Sequence, residues 1–235
     1  MPGVPDLEAL VTLVIVPKEW HFHAVAHLRA ILDGPRVAAI LYMVSEPLPA
    51  ELAATLELAA SENVGYLSIL HMAPFDNPYA LRQAAAERVR TPYYAVLGND
   101  TFPASGWLDA LVTAAEQTPK AAVVQPIILE RSVTHDDTLH VWWRPLRLRR
   151  AAEQYQGSCE LVASFDNNLV QRKLPELQRL LRRQQLDFLE DHALLVRVSA
   201  FPSEAPPLWD PRACFRREFF DLSFTCMARG LVVLL

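Results

Sequence analysis

Residues 77 to 126 constrain the fold more than any other stretch, because they read as helix, buried strand, acidic turn, helix and strand in unbroken succession. Asn77 is a helix cap and Pro78 suits the first helical position, where a missing N–H costs nothing. Tyr93 to Leu97 is a short apolar run after Thr91-Pro92, as expected for a strand covered on both faces. Gly98-Asn99-Asp100 stops it and leaves a carboxylate at its C-terminal end, the edge where open α/β sheets bind ligands. Gly106-Trp107-Leu108 opens the next helix, and Ala121 to Val124 begins a further apolar run.

The same alternation extends in both directions. Val11 to Val16 is a buried first strand ended by Pro17. His21 to Leu32 has helical spacing, with Val25, Leu28, Ile31 and Leu32 available for one face, and Gly34-Pro35 closes it. Val37 to Val44 and Tyr66 to His71 are strands on either side of an Ala/Leu/Glu helix from Pro49 to Ser61. Strands alternating with helices predict a mainly parallel sheet covered on both faces. Periodicity is poor from Glu130 to Asn168, a long excursion or small meander that holds His140, Trp142 and Trp143. After it come an Arg/Gln-rich amphipathic helix at Leu174 to Leu186, a strand within Phe188 to Val198, and a helix at Arg217 to Arg229 stopped by Gly230.

Composition removes several function classes. At 235 residues, about half hydrophobic, the chain suits one α/β domain. A net charge of −5 gives no basic field for nucleic acid. The basic runs at Arg144 to Arg150 and Arg179 to Arg183 read as solvated faces, with an acidic-substrate patch or peripheral membrane contact the minority reading. No apolar run is long enough to span a bilayer, and the start lacks the basic region of a signal peptide. Cys159, Cys214 and Cys226 have no metal-ligand spacing and fit a reducing, cytoplasmic setting. With seven glycines, neither a Walker pattern nor GxGxxG occurs, which counts against kinases, NTPases and dinucleotide-binding dehydrogenases.

The order from Asn77 through Asn99-Asp100 to Pro103-Ala104-Ser105-Gly106-Trp107-Leu108 resembles the centre of a family 2 glycosyltransferase. The resemblance implies a GT-A fold over the whole chain, an αβα sandwich with a mainly parallel sheet and a small late antiparallel portion. A nucleotide-binding half would run from about residue 10 to 128, and an acceptor-side half from 129 to 235. It further implies that Asp100 stands at the last acid of a D-x-D motif and binds Mg²⁺ or Mn²⁺, while Gly98 replaces the first acid. Arg217-Glu218-Phe219-Phe220-Asp221-Leu222 resembles the late R-E-x-x-D-L motif, with Glu218 as general base and Asp221 in support. Leu189 to Arg197 looks like the strand beneath the acceptor site, with His192 as a neighbour of the metal.

Elsewhere the chain departs from the family pattern. The Asp that follows the second strand in relatives is absent, and Glu46 is the nearest carboxylate. Pro17 and Glu19 follow the first strand; with Glu46, Asn77, Asn99, Asp100 and Trp107 they make up the expected nucleotide-sugar contacts. The function so implied is hexosyl transfer from a nucleotide-sugar to the hydroxyl of a glycan or small-molecule acceptor, inverting and metal-assisted. The competing reading is a degenerate GT-A domain that binds a glycan or protein. A nucleotidyltransferase ranks last, because Val16-Pro17-Lys18-Glu19-Trp20 is no Gly-rich phosphate loop.

Overall fold

A computed structural model describes residues 5–17, 21–73, 77–131, 139–141, 146–150, 161–165, 185–186, 189, 192–201 and 218–234. The first half alternates as expected. A one-turn helix α1 (Leu7–Leu10) leads into β1 (Val11–Val16), then α2 (Ala24–Leu32), β2 (Ala39–Val44), α3 (Ala50–Glu62), β3 (Leu67–His71), α4 (Pro78–Ala86), β4 (Tyr93–Gly98), α5 (Trp107–Gln117) and β5 (Ala121–Val124). The second half holds the short strands β6 (Leu129–Arg131), β7 (Leu139–Val141), β8 (Leu146–Arg150), β9 (Leu161–Phe165) and β10 (Gln185–Leu186). It ends with β11 (Ala193–Arg197), α6 (Glu218–Ala228) and β12 (Val232–Leu234).

Eight of these strands form one sheet in the order β10-β12-β5-β11-β4-β1-β2-β3. β3, β2, β1 and β4 run parallel, and β12 runs parallel to β5. The late antiparallel portion is β11, wedged between β4 and β5, with β10 against β12 at the edge. Every residue of β1 and β4 is buried. A parallel strand with neighbours on both sides and helices over both faces has no wet side, so it needs a continuous apolar run rather than alternation. β6 pairs with β7 and β8 with β9 in two separate antiparallel two-stranded ladders, so the described parts of the aperiodic excursion are strands.

Two expectations need correction, and one element was unforeseen. α2 begins at Ala24 and buries Ala24, His27, Leu28 and Ile31, whereas Val25 and Leu32 are only partly covered. The inward stripe is thus rotated from the one suggested by side-chain hydrophobicity, and it turns a histidine into the core. Gln185 and Leu186 end no helix: they pair with Leu234 and Val233, adding a strand to the open edge of β12. Most of the expected helix, from 174 to 184, lies outside the described residues. α1 was unforeseen; it is a single turn whose cap, Asp6, accepts from the Ala9 amide at 3.3 Å.

Arg197 fastens β11 to the start of β5 and the end of α5. Its Nε donates to the carbonyl of Ala121 at 3.0 Å and its Nη2 to that of Ala115 at 2.5 Å. A cation at the C-terminal turn of a helix opposes the negative end of the dipole, and here it adds a second donor to the Ala115 carbonyl, which also accepts from the Thr118 amide at 3.1 Å. The guanidinium also lies 5.0 Å from the Tyr93 ring centroid, and Tyr93 donates from its hydroxyl to Glu116. Cys226 is buried and unpaired, its thiol pushed up to about 12 by burial, as for an unreactive core residue.

Candidate active site at the strand ends

The parallel strands deliver their C-terminal ends to one edge. Val16 stands opposite Gly98, and Val44 closes β2 beside them. The chain crosses from β1 to β2 on one side and reaches β4 on the other, so the crevice at β1 is the topological switch point where α/β sheets take ligands. β11 runs the opposite way and therefore starts at this edge: Ala193 faces Leu97, and the Gly98 amide donates to the His192 carbonyl at 2.9 Å.

Asn99 is fully buried at the turn after β4, while Asp100 is partly exposed. The Thr101 amide closes that turn on the Gly98 carbonyl at 3.2 Å, and its hydroxyl donates to Asp100 Oδ1 at 3.2 Å. Asn99 Nδ2 reaches His21 Nδ1 at 3.3 Å, and His21 Nε2 reaches Glu46 Oε1 at 3.1 Å. One hydrogen-bonded chain therefore crosses the crevice, from the end of β4 to the segment after β1 and on to the segment after β2. The buried hydroxyl of Tyr42 lies beside Asn99; burial pushes it up to about 12, and Asn99 pulls the other way. Phe102 stacks edge-on against His23 and His27, with ring centroids 6.1 and 6.0 Å away. His27 is fully buried, and burial lowers it to about 4 against the opposing pull of Asp100.

The structure brings Pro17, Glu46, Asn99, Asp100 and His192 to this edge. Asn77 is a cap: its Oδ1 accepts from the Ala80 amide at 3.0 Å at the start of α4. Trp107 lines a different cleft, of about 460 Å³ between α2 and α5, whose wall includes Leu13, Asp33 and Val37 but none of the edge residues. Glu218 and Asp221 open α6, three positions apart; their side chains lie outside the described residues, as do Glu19, Trp142 and Trp143. α6 is anchored near β11, because the Leu189 amide donates to Ser223 Oγ at 3.1 Å. Sequence reasoning missed His21, Tyr42 and Ser223. The only available signal for His21 was a polar residue four positions after the proline that ends β1.

Among the described residues no three His, Cys, Asp or Glu side chains gather as a cation cage. Among the described residues the edge carries the carboxylates of Asp100 and Glu46, and Asp100 is the one that follows the strand pairing with β11, which enters at His192. Mg²⁺-type ions that dehydrate reluctantly use such sparse protein sites and complete their shell with water and ligand phosphates. The donor set therefore fits a shared cation rather than a caged one. Among the described residues, no helix is long and apolar enough to cross a membrane.

No protein-family model and no curated protein matches the chain. Among solved structures, GalNAc-T7 with UDP, GalNAc and Mn²⁺ aligns over 97% of this chain with a TM-score of 0.65 at 13% identity. The chain spans 42% of that protein's length. The likeness shows the fold: this is a GT-A-type αβα sandwich with antiparallel late strands.

Proposed function

We propose that the protein is a family 2-like glycosyltransferase that moves a sugar from a nucleotide-sugar donor to an acceptor hydroxyl. The observation that carries this reading is the convergence of Asn99, Asp100, His21 and Glu46 at the switch-point edge of a GT-A sheet. The solved neighbour GalNAc-T7 is seen with UDP, GalNAc and Mn²⁺, which supports a nucleotide-sugar at this edge. Residues 10–128 would hold the donor, and the part beyond would meet the acceptor.

The chemistry is a direct inverting displacement. The acceptor oxygen attacks the anomeric carbon, the Glu218 carboxylate takes its proton, and the bond to the diphosphate breaks with its electron pair leaving on the diphosphate. Asp221, on the next turn of the same helix face, supports that carboxylate. Asp100, with His192, would hold Mg²⁺ or Mn²⁺, whose part is to offset negative charge on the leaving diphosphate. The Thr101 hydroxyl, donating to Asp100 Oδ1 at 3.2 Å, helps orient that carboxylate. The test is calorimetric titration with nucleotides, with and without Mn²⁺.

A second reading has its own observation. Gly98 stands where relatives carry an acid, no Asp follows β2, and no three-residue cation cluster lies among the described residues. A degenerate GT-A domain that binds a glycan or protein would look this way, and it predicts a folded protein that ignores nucleotides.

A further inference from the structure

The eight-stranded sheet has two unlike edges. One ends in β10, only two residues long, and a very short edge strand guards a sheet against pairing with a further strand. The other ends in β3, where Leu67-Ser68-Ile69-Leu70-His71 holds no Asp, Glu, Lys, Arg or Pro and runs in register with β2 without a bulge. The hydrogen-bond phase of β3 is fixed at both ends: the Ile40 amide donates to the Tyr66 carbonyl at 2.7 Å, and the Met72 amide to the Val44 carbonyl at 2.8 Å. Successive residues of a strand turn their backbone groups to opposite sides, so Tyr66, Ser68, Leu70 and Met72 serve β2 while Leu67, Ile69 and His71 face outward. The Leu67 amide is taken by the Asn63 carbonyl at 2.9 Å. The Leu67 carbonyl and both backbone groups of Ile69 and His71 have no backbone partner among the described residues. Apolar surface adjoins them: Leu58, on the helix that leads into β3, is 59% exposed, and Val64, in the turn between helix and strand, 85%.

We propose that β3 is a dimerisation edge, on which a second copy of this chain lays its own β3 antiparallel about a two-fold axis at Ile69, joining the two sheets. The outward groups are disposed symmetrically about Ile69. The Ile69 pair therefore exchanges both its backbone bonds across the axis, and each His71 amide donates to the Leu67 carbonyl of the other copy. With no ionic side chain on the strand, self-pairing sets no like charges opposite one another. A chain meets its own copies at every concentration it reaches, so an edge that had to stay single would need a guard such as the one β10 provides; β3 carries none in its sequence. A two-fold contact closes after two copies, so the open edge is consumed rather than extended into a fibre. Dimerisation here needs nothing bound at the crevice, which opens at β1, two strands away.

The test is sedimentation velocity of the full chain over a concentration series, with circular dichroism to establish that each variant is folded. The wild type should show a reversible monomer–dimer equilibrium. Ile69→Pro removes an amide that β2 does not use, so the sheet keeps its own bonds while the dimer dissociation constant rises at least about tenfold. Ile69→Lys or Ile69→Glu alone sets like charges across the axis and should weaken self-association at least about fivefold. Mixing those two variants should restore a dimer holding one copy of each, because opposite charges then meet. The charge variants keep the test intact if Ile69→Pro does not fold. A wild type that stays monomeric across the series would overturn the proposal and leave this edge to a strand of another protein. A dimer unmoved by all three variants would overturn it in favour of another surface. Lys and Glu variants that stay monomeric when mixed would overturn the two-fold at Ile69.

Discussion

The amide of Gly98 donates to the carbonyl of His192 at 2.9 Å, clasping the last residue of a parallel strand to the residue that precedes an antiparallel one. The clasp uses backbone atoms alone. It brings the turn carrying Asp100 and the entry to β11 to the same edge whatever side chain occupies position 192. His192→Ala should therefore leave that backbone clasp in place and the protein folded. It should weaken Mn²⁺-dependent nucleotide binding by about tenfold if the imidazole contributes to a shared cation site. Urea unfolding and calorimetry read the two effects separately.

Arg197 tests how the late strand is held. Its donors serve the carbonyls of Ala115 and Ala121, and Glu116 lies 4.0 Å from Nη1. Arg197→Ala would remove the side-chain donor from both carbonyls, Ala115 keeping only the Thr118 amide, and a loss of about 1–3 kcal/mol is expected for such charge-assisted hydrogen bonds. The urea midpoint should fall without a change in m-value.

His27 predicts a pH dependence of stability. Its folded pKa is lowered from 6.5 to about 4 by burial, so between those values the unfolded chain binds more protons than the native one. Stability therefore rises with pH through this window, is complete above about 6.5, and is lost as pH falls toward 4; the loss approaches about 3 kcal/mol at most. His27→Leu should flatten that slope. It should also cost little at pH 7, because neither ring nitrogen has a partner among the described residues. Chemical unfolding at pH 4.5 and 7 of both proteins measures the difference.

Gly98→Asp supplies the first acid of the D-x-D motif of the proposed family. With the Asn99–His21–Glu46 chain intact, an added carboxylate beside Asp100 should raise Mn²⁺-dependent nucleotide affinity, by about tenfold for one extra charged contact. A degenerate cleft would show no gain in the same titration.

Legibility in the sequence followed locality. The strand from Tyr93 and the capped helix from Asn77 were readable because an apolar run and an Asn-Pro start are local signals. The topology was inferable because alternating strands and helices have few right-handed solutions. What was not legible depends on contacts between distant segments. His21 and Asn99 are 78 residues apart, and no spacing rule links them. The inward turn of His27 was hidden because hydrophobic periodicity favours Val25 and Leu32 over a histidine. The strand at Gln185 and Leu186 was read as helix because the open edge of β12, not local propensity, decides it. Trp107 marked the start of α5 correctly, yet its side chain lines a cleft away from the strand-end site.

The central claim is that the edge built around Asp100 binds a nucleotide diphosphate together with a divalent cation. Isothermal calorimetry of the wild type and Asp100→Ala with UDP, with and without Mn²⁺, tests it most directly. The account predicts UDP binding that strengthens with Mn²⁺ in the wild type and loses that dependence in the variant, with both proteins equally folded. A folded wild type that binds no UDP, GDP or dTDP in the presence of Mn²⁺ would contradict the account and leave the non-catalytic domain in its place.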